Sequence, residues 1–432
     1  MQIIVLAGGE GKRMWPVQTD KCLIPFLGKP LLYHNLKQIK ENIEAAEFII
    51  ISSPQVKDEA SKIAQGLGLN FQIAVQNEPK GMADALLSAK GLIEGEVLVV
   101  NAEDILDPKI FKAILETDGD VVVPGLQVKK YFPGGYIENV KGQNSKVKSI
   151  VEKPGEGNEP SDLVKLVADY FQDGKELVDY LQRVETTKDD QYEAVLDQMI
   201  KDGLDIKYVK YEGVWVPLKY PWHILDISAH FLSKIGQQVS SEAKISEKAI
   251  IEGNVFIEEG VKVFEGAVIK GPCYIGKNCI VGNNSMIRES ILEEGCVTGF
   301  NSDITRSYIG PNSWFHTNYI GDSVLEGDFG MGSGAVLANL RLDNKTVMVG
   351  EDHLDTGRHK LGLVAGKGVR VGVNASTMPG VRVGANSLIG PGVVLRKDLK
   401  ENKKITIKEE SFEIADYENS HTSYEQFREE IK

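Results

Sequence analysis

From its first residues the chain alternates short apolar runs with longer stretches whose apolar positions recur every three or four residues. The runs Ile3–Leu6, Phe48–Ser52, Phe71–Val75, Val97–Val100 and Val121–Val123 are short and rich in β-branched residues, which predicts strands. Between them Leu31–Asn42, Lys57–Gly66, Met82–Lys90 and Lys109–Leu115 carry helical spacing with polar faces. Strand and helix in alternation predict a doubly wound parallel sheet flanked by helices, with ligands expected where strands end. The pattern lasts to about residue 230.

At Ala243 the period changes to six. Positions 245, 251, 257, 263, 269, 275, 281 and 287 hold Ile, Ile, Ile, Val, Ile, Ile, Val and Ile. Two residues before each stands a second column: Ala243, Ala249, Val255, Val261, Ala267, Cys273, Cys279 and Ser285. Two columns in step predict a triangular coil in which each turn buries its aliphatic residue against the next. The register loosens between Ile291 and Lys360 and returns as Val371, Thr377, Val383, Ile389 and Leu395. An interruption in a regular solenoid is a place for function; the alternative reading of this half is a passive oligomerisation stalk. The expected division is an α/β domain over 1–234, the coil over 240–400, and a charged tail over 401–432 with a short helix near Tyr424–Ile431. A length of 432 residues agrees with two cores, since one core stops growing near roughly 250–300 residues.

Charge narrows the partners. Forty-nine Lys and Arg against sixty-two Asp and Glu leave a formal charge of −13, which repels a nucleic-acid backbone. A phosphate-bearing substrate must therefore be met by local cations and backbone amides. The apolar start runs at once into Gly8-Gly9, too short for a signal peptide, and no stretch reaches the roughly 18 apolar residues of a membrane span. The expectation is a cytoplasmic chain with no membrane contact. Cys22, Cys273, Cys279 and Cys296 lack Cys-x-x-Cys spacing and read as reduced core thiols.

The first candidate site follows the first strand: Leu6-Ala7-Gly8-Gly9-Glu10-Gly11-Lys12-Arg13. Its glycines let backbone N–H groups approach a triphosphate, and Arg13 adds a cationic fork. The continuation Lys21-Cys22-Leu23-Ile24-Pro25, then Gly28-Lys29-Pro30-Leu31, resembles the sugar-1-phosphate nucleotidyltransferases. The resemblance implies a Rossmann-like N-terminal domain in which Leu6, Gly8, Gly9, Gly11 and Arg13 hold the nucleotide and Lys21 neutralises charge at the reacting phosphorus. It implies further that Gln76 and Gly81, in Gln76-Asn77-Glu78-Pro79-Lys80-Gly81, contact the base, which suits UTP or dTTP. Gly135 with Glu152 and Lys153, in Val151-Glu152-Lys153-Pro154, resembles the sugar site: Glu152 accepts sugar hydroxyls and Lys153 pairs with the sugar phosphate. A surface charge pair is the alternative for Glu152 and Lys153.

Family members hold Mg2+ between two carboxylates, one at the end of the central strand and one in a Trp-x-Asp segment. Here the strand ends Asn101-Ala102-Glu103-Asp104, offering Asp104 or Glu103, and the second segment reads Trp215-Val216-Pro217. Proline offers no ligand. Lys188-Asp189-Asp190-Gln191-Tyr192-Glu193 is a source of a substitute, or simply a helix start capped by Asp.

The second candidate site lies in the loosened coil. Trp314-Phe315-His316-Thr317-Asn318-Tyr319-Ile320-Gly321-Asp322, with Ala338-Asn339-Leu340-Arg341, resembles the acetyltransferase half of bifunctional N-acetylglucosamine-1-phosphate uridyltransferases of the archaeal type. That implies a left-handed parallel β-helix that forms a homo-oligomer, such as a trimer. It also implies His316 as the base that deprotonates a sugar amine attacking acetyl-CoA, with Tyr319 and Asn339 beside it. Arg358 and Lys360 are candidates for phosphates of coenzyme A or of the sugar, or a solvated rim. Three readings stay open at this level: an active nucleotidyltransferase with a possible acetylating coil, a binding protein that lost turnover with Pro217, and a chain in which only the coil is catalytic.

Overall fold

The computed structural model describes residues 1–9, 11–44, 47–139, 145–186 and 190–408. The expected tail helix near Tyr424–Ile431 lies outside the described residues. A ten-stranded sheet organises the N-terminal half. Its N-terminal part is parallel, in the order Phe71–Val75, Glu47–Ser52, Gln2–Ala7 and Val97–Asn101. Beyond Val97–Asn101 the neighbours Ala168–Phe171, Val121–Gln127, Leu163–Lys165, Gly135–Asn139 and Val147–Glu152 pair antiparallel. The expected all-parallel sheet is thus corrected to a mixed one. No helix lies between Val121 and Phe171 in the described residues, and strands without a crossover helix return antiparallel. Apolar residues on the two sheet faces, such as Ile4 and Val99 on one and Ile3 and Val100 on the other, are buried under separate helical layers.

The six-residue period becomes stacked parallel strands on three faces. Lys244 pairs with Lys262 and Lys262 with Ile280, a turn of eighteen residues. Ile257, Ile269, Ile275, Val281 and Ile287 fill the interior with the small column Val261, Ala267, Cys273 and Cys279. All four cysteines are buried and free. The corners turn through left-handed residues, glycine or asparagine. Gly266 sits at φ +70°, and a Cβ there would come within 2.2 Å of Asn284 Oδ1 on the next turn.

The loosened register has two physical origins. Ile280 pairs with Val297, which bridges Trp314, which bridges Gly330, so turns of seventeen and then sixteen residues follow the eighteen-residue ones. Stacking survives because the shortening falls at corners. Then Leu337 pairs directly with Thr377: between them the chain first leaves the coil in an excursion carrying the hairpin Met348–Val349 with Leu354–Asp355, and rejoins it at Val364–Ala365.

The two halves share a core. The helix His223–Leu232 and the segment Met14–Leu31 pack on one coil face through Tyr274, Ile291, Tyr308, Val324 and Val364, and the excursion adds Val347 and Val349. Phe26 lies 5.6 Å from the Tyr308 ring and 5.5 Å from Phe231. Tyr308 Oη donates to the Pro25 carbonyl at 2.9 Å. Glu326 Oε1 accepts from the Gln18 and Thr19 amides and the Thr19 hydroxyl at 2.9, 2.6 and 2.8 Å.

Gly266→Ala forces a left-handed alanine against the neighbouring turn and costs about 1–3 kcal/mol. A lowered thermal midpoint measures it; an unchanged midpoint refutes the corner constraint.

Candidate active site

The glycine turn leaves the buried strand Gln2–Ala7 at its C-terminal end, where parallel strands expose amides to a ligand. A cavity of about 500 Å³ opens there. It is lined by Leu6, Gly8, Gly9, Gly11, Arg13 and Lys21 on the nucleotide side, by Gln76 and Gly81, by Glu103 and Asp104 on its floor, and by Gly135, Glu152 and Lys153 opposite. Every N-terminal residue assigned from the sequence therefore meets in one space. Lys165, Glu193, Phe132, Trp215 and Lys219 line it too.

Each wall has a local cause. A Cβ on Gly8 would stand 2.8 Å from Gln76 Oε1, so only glycine allows the turn to pass this side chain. Gln76 Nε2 donates to the Gly81 carbonyl at 3.1 Å and to Asp84 Oδ2 at 2.8 Å, which settles which end of the amide is nitrogen. On the opposite wall the Lys153 amide donates to the Gly134 carbonyl at 3.1 Å, tying Glu152-Lys153 to the glycine pair. Glu152 Oε1 and Lys153 Nζ are 2.8 Å apart.

The floor does not reproduce a two-carboxylate metal site. Glu103, which is buried, forms an ion pair with Lys21 Nζ. Asp104 accepts from Trp215 Nε1 at 3.2 Å, and in the short ladder that joins these strands its direct partner is Pro217. Burial pushes the Asp104 carboxyl upward, against the pull of Trp215, Lys219 and Lys21. Among the described residues no three His, Cys, Asp or Glu side chains group as metal ligands. The residues present do not fit a metal held by the protein alone. Glu193 lies toward the sugar wall: its Cγ is 3.6 Å from where a Cβ on Gly135 would be.

Sequence reasoning missed a buried triad behind that wall. Lys165 Nζ lies 2.5 Å from Asp169 Oδ2, which also accepts from Tyr192 Oη at 2.7 Å, and neither carboxylate nor ammonium is exposed. Asp169 comes from the strand and Tyr192 from the helix Gln191–Lys201, so no linear motif announces the contact. Burial, partly offset by Lys165 and reinforced by Glu152, raises Glu193 to about 7. Lys219, seated 3.7 Å over the Phe132 ring, is drawn down to about 8 by burial, with Asp104 pulling back.

On the coil, His316 and Tyr319 occupy one turn, with His316 exposed. Its amide donates to Asn318 Oδ1 at 2.8 Å. Tyr319 Oη lies 3.4 Å from Asn339 Oδ1, and Asn339 Nδ2 donates to Asp322 Oδ2 at 2.5 Å. Arg306 grips the same Asp322 through Nε and Nη2 at 2.8 and 2.9 Å. Tyr319 and Asn339 are thus brought together, with Asp322 and Arg306 as unforeseen supports. Lys360 bridges Leu340, next to Asn339. Arg358 is turned elsewhere: its Nη1 lies 2.6 Å from Asp226 Oδ1 of the helix His223–Leu232, because the excursion closes onto that helix.

Comparison with known proteins decides the family. Residues 2–230 match the nucleotidyl transferase family, and residues 254–289 match six bacterial transferase hexapeptide repeats. The chain belongs to the nucleotidyl transferase family. It is 32% identical to the bifunctional protein GlmU of Methanococcus maripaludis strain C5 over 88% of this chain and 90% of that protein. It is 30% identical to a bifunctional sugar-1-phosphate nucleotidylyltransferase/acetyltransferase of Sulfurisphaera tokodaii, over 92% and 98% of the two chains. To the GlmU of Methanocaldococcus jannaschii it is 30% identical, over 93% and 96%. It is an enzyme of nucleotidyl transfer. No described helix is long and apolar enough to cross a membrane.

A Glu193 raised to about 7 disfavours the folded state once ionised. Below its ordinary value near 4.5 both states are protonated and nothing is lost; between 4.5 and about 7 the unfolded chain ionises first and stability falls. Glu193→Gln is therefore more stable than the parent at pH 8, by at most about 3 kcal/mol, and equal to it at pH 4. Denaturation midpoints at the two pH values measure the difference, and equal gaps at both contradict it.

Proposed function

We propose that the N-terminal domain joins a nucleotidyl group from UTP or dTTP to a sugar 1-phosphate, and that the coil acetylates an amino-sugar phosphate with acetyl-CoA. One observation carries the first part: the phosphate turn, the base wall and the sugar wall face one another across a single cavity. A sugar-phosphate oxygen attacks the α-phosphorus, the bond from that phosphorus to the β-phosphate bridging oxygen breaks, and pyrophosphate leaves. The protein's part is placement and charge neutralisation. In this reading Gly8, Gly9, Gly11 and Arg13 hold the triphosphate, Lys21 meets charge at the reacting phosphorus, Glu152 holds sugar hydroxyls and Lys153 the sugar phosphate. Asp104 would be the carboxylate left to meet a Mg2+ carried by the triphosphate substrate, since Glu103 is engaged by Lys21.

Base choice rests on Asp84. By occupying the Gln76 amide nitrogen, it leaves the carbonyl end as an acceptor beside Gly8. An acceptor suits the N3–H of uracil or thymine and is repelled by the lone pair at N3 of cytosine. For the coil, the relatives' bifunctional names and the Tyr319, Asn339 and Asp322 cluster support acyl transfer with His316 as base. Phe300 and Trp314, 60% and 55% exposed near His316, support a homo-oligomer, a trimer being the form we favour, in which a neighbouring coil covers this face.

The deciding experiment is a matrix of nucleoside triphosphates against sugar 1-phosphates read by pyrophosphate release, with acetyl-CoA run in parallel. Asp84→Asn, which can donate as well as accept, unlocks Gln76 and lowers the preference for UTP over CTP by about fivefold to tenfold; an unchanged ratio refutes the lock. His316→Ala abolishes coenzyme A release with glucosamine 1-phosphate while pyrophosphate release persists. Retained coenzyme A release removes His316 from the chemistry.

A further inference from the structure

The cavity holds a cation two residues beyond Pro217, the position at which the family resemblance implies a second metal-binding carboxylate. The strand Trp215–Pro217 runs antiparallel to Asp104–Leu106 and sets Pro217 directly opposite Asp104. Two residues on, Lys219 returns to the same space. Its ammonium lies 3.7 Å over the Phe132 ring and 3.4 Å from the Pro133 carbonyl, at the lip of the sugar wall. The charges that act on it are Asp104, Arg13, Glu152 and Lys153. It lines the same cavity as Arg13 and Lys153.

Like charges are not gathered without an anion to share. Arg13, Lys21, Lys153, Lys165 and Lys219 converge on the cavity, whereas Lys21 and Lys165 already have buried carboxylate partners in Glu103 and Asp169. Among the described residues Lys219 has no carboxylate ion pair within 4 Å: its ammonium meets an aromatic face and a carbonyl, both of which leave its charge uncancelled. Phe132 is itself held edge-on by Trp215 at 4.8 Å, so the aromatic seat is rigid.

We propose that Lys219 is a catalytic residue of nucleotidyl transfer, its ammonium contacting substrate phosphate and supplying the positive charge that a metal held by a second carboxylate supplies in relatives of this type. The inference rests on the nucleotidyl-transfer reading above. It assigns to one lysine the neutralisation that Pro217 makes unavailable from a protein-held ion, and the loss of the carboxylate and the presence of the lysine become a single exchange. The ligand recognised is the phosphate shared by the nucleoside triphosphate and the sugar 1-phosphate.

Two measurements on the intact chain test it. Calorimetry of UTP in excess chelator reads the protein's own cations: Lys219→Gln weakens metal-free UTP binding by at least tenfold, and Lys219→Arg restores most of it. Pyrophosphate release across a Mg2+ titration reads turnover: Lys219→Gln loses about 10²-fold and requires more Mg2+ for half its maximal rate, while Pro217→Asp with Lys219→Gln recovers rate only when Mg2+ is present. Metal-free binding and Mg2+ dependence equal to the parent's in Lys219→Gln overturn the proposal. A parent chain that binds UTP but turns over no sugar phosphate removes the enzymatic reading, and loss of metal-free binding in the variant then still upholds the phosphate contact. A parent chain that binds no triphosphate removes both.

Discussion

Burial of one coil face against the segment Met14–Leu31 and the helix His223–Leu232 is the constraint on which the rest of the structure depends. Phe26, Tyr308, Phe231 and their aliphatic neighbours leave water together, and the polar atoms trapped with them find partners across the boundary. Glu326 of the coil takes up the amides of Gln18 and Thr19, immediately before the turn that presents Lys21. Trp15 is held in the same way, by Glu401 at 3.1 Å and beneath Arg382 at 4.7 Å. The segment that follows the glycine turn is thus seated on a surface belonging to the other half of the molecule.

Charge in the cavity follows from that placement. An anionic chain binds anionic substrates only if cations are concentrated locally, and the mixed sheet does this by bringing loops from the parallel and the antiparallel halves to one opening. The cations differ in how far they are cancelled. Lys21 and Lys165 are neutralised by Glu103 and Asp169, so they hold geometry as well as charge, while Lys219 rests on an aromatic face. On the coil, Asp322 plays the organising part, buried and gripped by Arg306 on one side while it orients Asn339 on the other. Such second partners fix side chains whose own rotamers would otherwise be free.

Much of this was legible beforehand, for definite reasons. Leu31–Asn42, Lys57–Gly66 and Lys109–Leu115 form as helices with the limits their periodicity marks, since each buries one apolar stripe. The antiparallel half of the sheet was not legible, because alternation of strands and helices stops after Lys109–Leu115 and short strands carry no sign of direction. Arg358 shows the limit for single residues. Its neighbourhood suggested the acyl-transfer face, yet the excursion carries it across to Asp226, a contact between positions 132 apart.

The amino-acid sequence by itself determined the two periods and the glycine turn after the first strand, since each of these is a local requirement of backbone geometry or of side-chain size. Only the tertiary structure decided which charges face one another. The pairing of Lys21 with Glu103, the burial of Lys165 with Asp169 and Tyr192, and the return of Lys219 beside Pro217 and Asp104 all join distant segments. Electrostatic energy depends on distance in space and on exclusion of water, and neither quantity is defined until the chain has folded.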